Sequence, residues 1–99
     1  MTEQEYAALI YRLVFHADGN GDICTAGVIK ALDTLLPRER LLLENYYRCG
    51  KTMKQIGKEI GLSGESVGRI IKKAHRKLRH PSVSRDMSIA RAEAYRLQK

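Results

Sequence analysis

Residues 51–80 read KTMKQIGKEIGLSGESVGRIIKKAHRKLRH, and the fold follows from this stretch. Thr52 with Gln55 three residues on has the form of a capping box, which starts a helix. Ile56 and Ile60, one turn apart, share a face of that helix. Gly61 follows the last apolar position and suits the left-handed conformation that ends a helix. Leu62 then turns inward, and Ser63 caps a second helix. There Val67, Ile70, Ile71, Ala74 and Leu78 repeat at three- and four-residue steps, which makes one apolar stripe. Gly57 falls where the two helices cross and only a small residue fits. Helix, tight glycine turn and longer helix together have helix-turn-helix spacing.

A generic helical hairpin would share that outline, and charge separates the two. Nine of the 18 Lys and Arg residues lie in 51–80, against two of the 11 acids, so this one hairpin carries the whole net charge of +7. An ordinary solvated face mixes both signs. A single-sign field confined to one motif points to a polyanion, most simply the phosphates of double-stranded DNA.

Ninety-nine residues suit one small domain with an appended helix. No apolar run is long enough to span a membrane. The start, MTEQEYAALI, lacks the basic region of a signal peptide, so a cytoplasmic chain is expected. Cys24 and Cys49 lack metal-ligand spacing and are expected to be reduced and buried.

Thr2 with Glu5 opens a helix expected to run to about His16, with Tyr6, Leu9, Ile10, Leu13 and Val14 as its packing stripe. Asp18-Gly19-Asn20-Gly21-Asp22 is similar to the first half of an EF-hand loop. Ile23 then occupies the place of the required glycine and Ile29 that of the bidentate glutamate, so a turn between helices is expected rather than a metal site. Val28, Ile29, Leu32, Leu35 and Leu36 mark a helix over about Ala26–Leu36. Pro37 starts another, which continues to Cys49, closes at Gly50 and buries Leu42, Leu43, Tyr46 and Tyr47. Pro81 stops the long helix. Ser82–Ser88 reads as a polar loop, and Ile89–Lys99 as a short, loosely docked helix. The expectation is an all-α small helical bundle with a C-terminal helix-turn-helix, winged-helix-like without the wing. Its divisions are an N-terminal helix and turn (1–25), the helix-turn-helix domain (26–81) and a C-terminal tail (82–99).

From Ala31 to Ser84 the chain resembles region four of bacterial RNA polymerase sigma factors of the sigma-seventy class. The most specific part is AHRKLRHPSVS, Ala74 to Ser84, where a basic helix runs into His-Pro-Ser. Leu-Pro-Arg-Glu-Arg at 36–40 and Ile-Gly-Lys at 56–58 add to it. The resemblance implies two partners. The helix-turn-helix would bind the minus thirty-five promoter element in the major groove. The preceding helices, through Leu32, Leu36, Leu43 and Tyr47, would dock on the RNA polymerase beta flap. It also implies departures. Glu65 is retained at the start of the recognition helix, but Gly64, Ser66 and Gly68 stand at the family's arginine positions and Arg69 at a glutamine. Lys73, Lys77 and Arg79 keep their charge where the family contacts DNA backbone or activators. Read as a whole gene product, the chain has no room for region two and resembles the free-standing region-four proteins that phages and mobile elements carry.

The candidate DNA-contacting set is therefore Lys51, Thr52, Lys54, Ser63, Glu65, Ser66, Arg69, Lys72, Lys73, Arg76 and Lys77. Arg69 can pair with guanine O6 and N7, and Glu65 can accept from a cytosine amino group. The two lie four residues apart and can equally pair with each other. Gly68 is expected on the DNA side, letting the backbone approach. No nucleophile–base arrangement, phosphate loop or metal motif points to an enzyme, a cofactor or a small-molecule substrate. Two other readings stay open: a LuxR-type DNA-binding regulator, which the His80-Pro81-Ser82 ending does not fit, and a protein-interaction module that captures polymerase or a sigma factor.

Overall fold

A computed structural model describes residues 1–15 and 23–88. The Asp18–Asp22 turn and the helix expected over 89–99 lie outside them. Within the described residues the fold is a bundle of six α-helices: α1 (Glu3–Phe15), α2 (Thr25–Leu32), α3 (Pro37–Leu43), α4 (Met53–Ile60), α5 (Gly64–Arg79) and the single turn α6 (Pro81–Ser84). A π-helical turn, Glu44–Arg48, extends α3, and a 3₁₀ turn, Arg85–Met87, extends α6. The one β feature among these residues is an isolated bridge between Ile23 and Ser88.

The expected helix starts hold. Thr2 and Glu5 exchange backbone and side-chain bonds at 3.1 and 3.2 Å. Thr52 and Gln55 do the same at 2.9 and 3.1 Å, and Ser63 Oγ accepts the Ser66 N–H at 3.1 Å. Gly50 and Gly61 both adopt positive φ, +69° and +76°, and each ends a helix. A Cβ at Gly57 would overlap the carbonyl oxygen of Leu62, whose N–H donates to the Gly57 carbonyl at 2.8 Å. What Gly57 accommodates is therefore the backbone of the turn, not the opposite helix.

Other segments differ from expectation. α2 ends at Leu32, four residues early. Pro37 holds Leu36 extended (φ −62°, ψ 146°), so the helix cannot reach it, and it unwinds through N–H bonds from Thr34 to Ala31 and from Leu35 to Leu32. The helix from Pro37 widens at Glu44, where the Cys49 N–H reaches back five residues to the Glu44 carbonyl at 3.0 Å. The segment after Pro81 is helical rather than a polar loop. His80 Nδ1 accepts the Ser82 N–H at 3.2 Å and caps α6, while Ser84 and Met87 are buried. There is no room for a Cβ at Gly27 because the Asp86 carbonyl packs directly on it.

One apolar core links these elements. It runs from Tyr6, Ala7 and Ile10 through Val28, Leu32, Leu42, Leu43, Ile56, Val67, Ile71 and Leu78 to Met87. On α1 the buried face turns towards Ala7 and Tyr11, leaving Leu9 and Leu13 half-buried. Tyr11 packs its ring on Phe15 at 4.7 Å. Tyr6 lies under the Arg48 guanidinium, 5.6 Å from its ring centroid, and its buried hydroxyl has no hydrogen-bond partner. Burial first, and the nearby Glu44 second, push its ionisation up to about 12. The cysteines are both free, but Cys49 is exposed and Cys24 half-buried, not sequestered as expected.

Candidate nucleic-acid interface

α5 decides the geometry of the basic stretch. Its inward side is Val67, Ile71, Ala74 and Leu78, all buried. A helix that commits those positions to the core turns the opposite side to solvent. Glu65, Arg69, Lys72, Lys73 and Arg76 occupy that side and are exposed. They form a convex ridge along the outer face of the recognition helix. Lys54, exposed at the start of α4, lies beside its first turn, and Thr52, also exposed, caps α4. Ion pairing leaves most of this charge free. Lys54, Lys72, Lys73 and Arg76 have no carboxylate within 4 Å among the described residues, and Arg69 meets Glu65 only at 3.8 Å with both side chains more than three-quarters exposed.

Five expected members of the site have other partners within the fold. Lys77 donates to Glu39 Oε1 at 2.8 Å, and Glu39 is only 3% exposed. Burial alone would raise the Glu39 carboxyl. The Lys77 hydrogen bond, the Leu36 N–H at 3.0 Å and the charges of Lys77 and Lys73 outweigh it and hold the group below the ordinary carboxylate value. Lys77 is therefore a structural counter-ion joining α5 to α3, not a free phosphate ligand. Lys51 pairs with Glu59 at 3.0 Å, which partly neutralises it. The Thr52 and Ser63 hydroxyls are used in capping, and Ser66 Oγ accepts from Ser63 Oγ at 3.0 Å.

Gly68 is not on the outer ridge. A Cβ there would sit 3.2 Å from Met53 Sδ, so it faces α4. With Gly64 it floors an open groove of about 810 Å³ between α4, the π turn and α5, walled by Tyr46, Tyr47, Met53 and His75. The Tyr47 hydroxyl lies 3.0 Å from His75 Nε2 and the two rings stack, with centroids 5.7 Å apart.

The apolar surface expected to meet a protein partner also changes. Leu32 and Leu43 are 1% and 0% exposed and belong to the core, so neither can contact a partner in the folded chain. Tyr47 is half-buried against His75. Leu36 (57% exposed) and Leu41 (48%) are the large apolar side chains that stand out on this side. Leu41 opens the segment, Leu41 to Tyr47, that the resemblance gives to docking, and three successive leucines on a helix cannot all face inward.

The family comparison spans α3, the π turn, α4 and α5. The model of sigma-70, region 4, fits residues 31–80, just over half of the chain. The chain belongs to the sigma-70 region 4 family. That membership makes it a DNA-binding transcription domain of sigma-factor type and sets the LuxR-type reading aside. The chain is also 38% identical over 64 residues to the RNA polymerase sigma factor SigA of Clostridium acetobutylicum. That match covers 61% of this chain and 17% of the relative, so the chain spans a small part of the relative's length. No solved structure matches the chain. None of the described helices is long and apolar enough to cross a membrane.

Proposed function

We propose that this region 4 domain binds double-stranded DNA through the outer ridge of α5 and docks on RNA polymerase through the edge formed by Leu36 and Leu41. The observation that carries the first part is the run of exposed, carboxylate-free cations Lys72, Lys73 and Arg76, continued by Lys54 and Arg69. Arg69 and Glu65, in the first turns of α5, are the base-reading pair, since the start of a recognition helix enters the major groove. Their mutual pair is long and exposed, so it contributes little and opens readily. Lys54, Lys72, Lys73 and Arg76 take phosphates. Serine and glycines at 64, 66 and 68 leave fewer side chains to reach base edges, so backbone charge carries most of the affinity. The relative's printed name, a sigma factor of RNA polymerase, supports a polymerase partner, and the beta flap is the surface we assign. This reading makes the protein a non-enzymatic, cytoplasmic transcription factor.

Fluorescence anisotropy with promoter and random duplexes tests the DNA part. Four to five neutralised phosphates give a log–log salt slope of about −3.6 to −4.5, so affinity falls by roughly two to three orders of magnitude between 50 and 200 mM salt. Arg69→Ala should relax sequence preference, while Lys73→Ala weakens all duplexes alike and reduces the slope by about one. Absent or salt-insensitive binding rejects the reading. Retention on an immobilised beta flap tests the docking part, and no retention removes it.

A further inference from the structure

We propose that His75 takes up a proton when the protein binds duplex DNA. The inference rests on the DNA-binding reading above and adds a specific titrating group to it. His75 lies at the start of the fourth turn of α5, in the wall of the groove between that helix and the π turn. The groove's rim belongs to the basic ridge: Arg69, Lys72 and Lys54 line it together with His75, and Glu65 is its one acid.

The groups facing the imidazole are few. From the π turn come the Tyr47 hydroxyl, 3.0 Å from Nε2, and the Tyr47 ring stacked on it, with Tyr46 packed edge-on behind at 4.8 Å. The π turn's own charges, Glu44 and Arg48, pair with each other at 3.8 Å and lie by Tyr6 instead. From α4 come Met53 and Lys54. From α5 itself come Arg79 one turn on and Lys72 one turn back. No carboxylate lies within 4 Å of His75 among the described residues.

The site is thus half-buried and cationic in the free protein, and both conditions oppose an imidazolium. Burial first, and the Arg79 charge second, hold His75 below the ordinary imidazole value. Tyr47 does not prevent protonation, because its hydroxyl can donate to a neutral Nε2 or accept from a protonated one. A duplex laid on the ridge brings phosphates to Lys72 and the other rim cations. Their negative charge cancels the repulsion and stabilises the imidazolium. The proton comes from the buffer and is released when the duplex leaves. Affinity then rises as pH falls through the interval between the free and bound values, and a shift of one unit corresponds to about tenfold.

The test measures duplex affinity from pH 6 to 8 at fixed ionic strength for the whole chain, His75→Gln and His80→Gln. Glutamine keeps a polar partner for Tyr47 but does not titrate. His80, already bonded to Ser82, controls for the other described histidine. We expect the wild type and His80→Gln to bind about three- to tenfold tighter at pH 6 than at pH 8, with His75→Gln flat. A pH slope that persists in His75→Gln, or salt-dependent wild-type binding with no slope, overturns the inference and leaves the DNA reading intact. No duplex binding at any pH sinks both. Should His75→Gln fail to fold, proton NMR titration of His75 in the wild type decides the matter. Its midpoint must rise on adding duplex, and an unchanged midpoint refutes the proposal.

Discussion

Replacing Lys77 by alanine separates a structural cation from a DNA-binding one. In the fold Lys77 holds Glu39, a carboxylate 3% exposed whose other bond is to the Leu36 N–H. Removing one partner of a buried ion pair costs about 3–5 kcal/mol, because the remaining charge is left without its counter-ion. Lys77 itself is about one-third exposed, so water reaches the vacated position and the cost falls to about 2–3 kcal/mol. For a domain of this size that lowers Tm by roughly 10–20 °C.

Glu39→Gln keeps an acceptor for Leu36 and leaves no buried charge, so it costs less, about 1–2 kcal/mol. The double variant should therefore be more stable than Lys77→Ala alone, a non-additivity that urea denaturation followed by circular dichroism resolves. Because the folded Glu39 carboxyl lies below its unfolded value, the unfolded chain binds the proton first. The Glu39 contribution is complete above about pH 4.3 and is lost as pH falls through the lower folded value, a loss that Glu39→Gln removes. At neutral pH and a temperature where it remains folded, Lys77→Ala should keep the wild-type salt slope on duplex DNA. A variant within about 0.5 kcal/mol of wild type whose salt slope drops by one would show Lys77 to be a phosphate ligand, and the structural assignment would fail.

Tyr6→Phe removes a buried hydroxyl without a partner and keeps the ring under Arg48, so urea denaturation should show about 1 kcal/mol of added stability. Gly57→Ala forces the Leu62 carbonyl and the turn to move and should destabilise by more than about 2 kcal/mol, with loss of DNA binding. Gly68→Ala meets only the flexible end of Met53 and gains helix propensity, so a stability change between zero and about +1 kcal/mol is expected in the same denaturation assay. Leu36→Lys with Leu41→Lys should leave thermal stability within about 0.5 kcal/mol and abolish retention on the polymerase beta flap, as pull-down would report.

The helix-turn-helix was legible because its signals are local. Thr52, Gln55, Gly61 and Ser63 act within four residues of their partners, and the α5 stripe fixes which side is outward. What could not be read depends on contacts distant in the chain. Nothing near Lys77 announces that it meets Glu39, 38 positions earlier, and nothing near His75 announces Tyr47, 28 positions earlier. Gly68 was misplaced because a glycine carries no apolar signal to mark an inward-facing side; only Met53 on the neighbouring helix does so. The segment 82–88 looked like a loop because its composition is polar, yet Met87 reaches the core and the backbone packs on Gly27.

The π turn has a consequence for how this domain could evolve. By inserting one residue into the spiral after Leu43, it swings Tyr46 and Tyr47 out of the phase that a regular α-helix from Pro37 would impose. Deleting a single residue between Glu44 and Arg48 would restore ordinary winding and carry the tyrosine off its histidine. Homologues of this chain that lack the extra residue should therefore have another side chain where His75 stands, so the two changes are expected to travel together as one inherited unit.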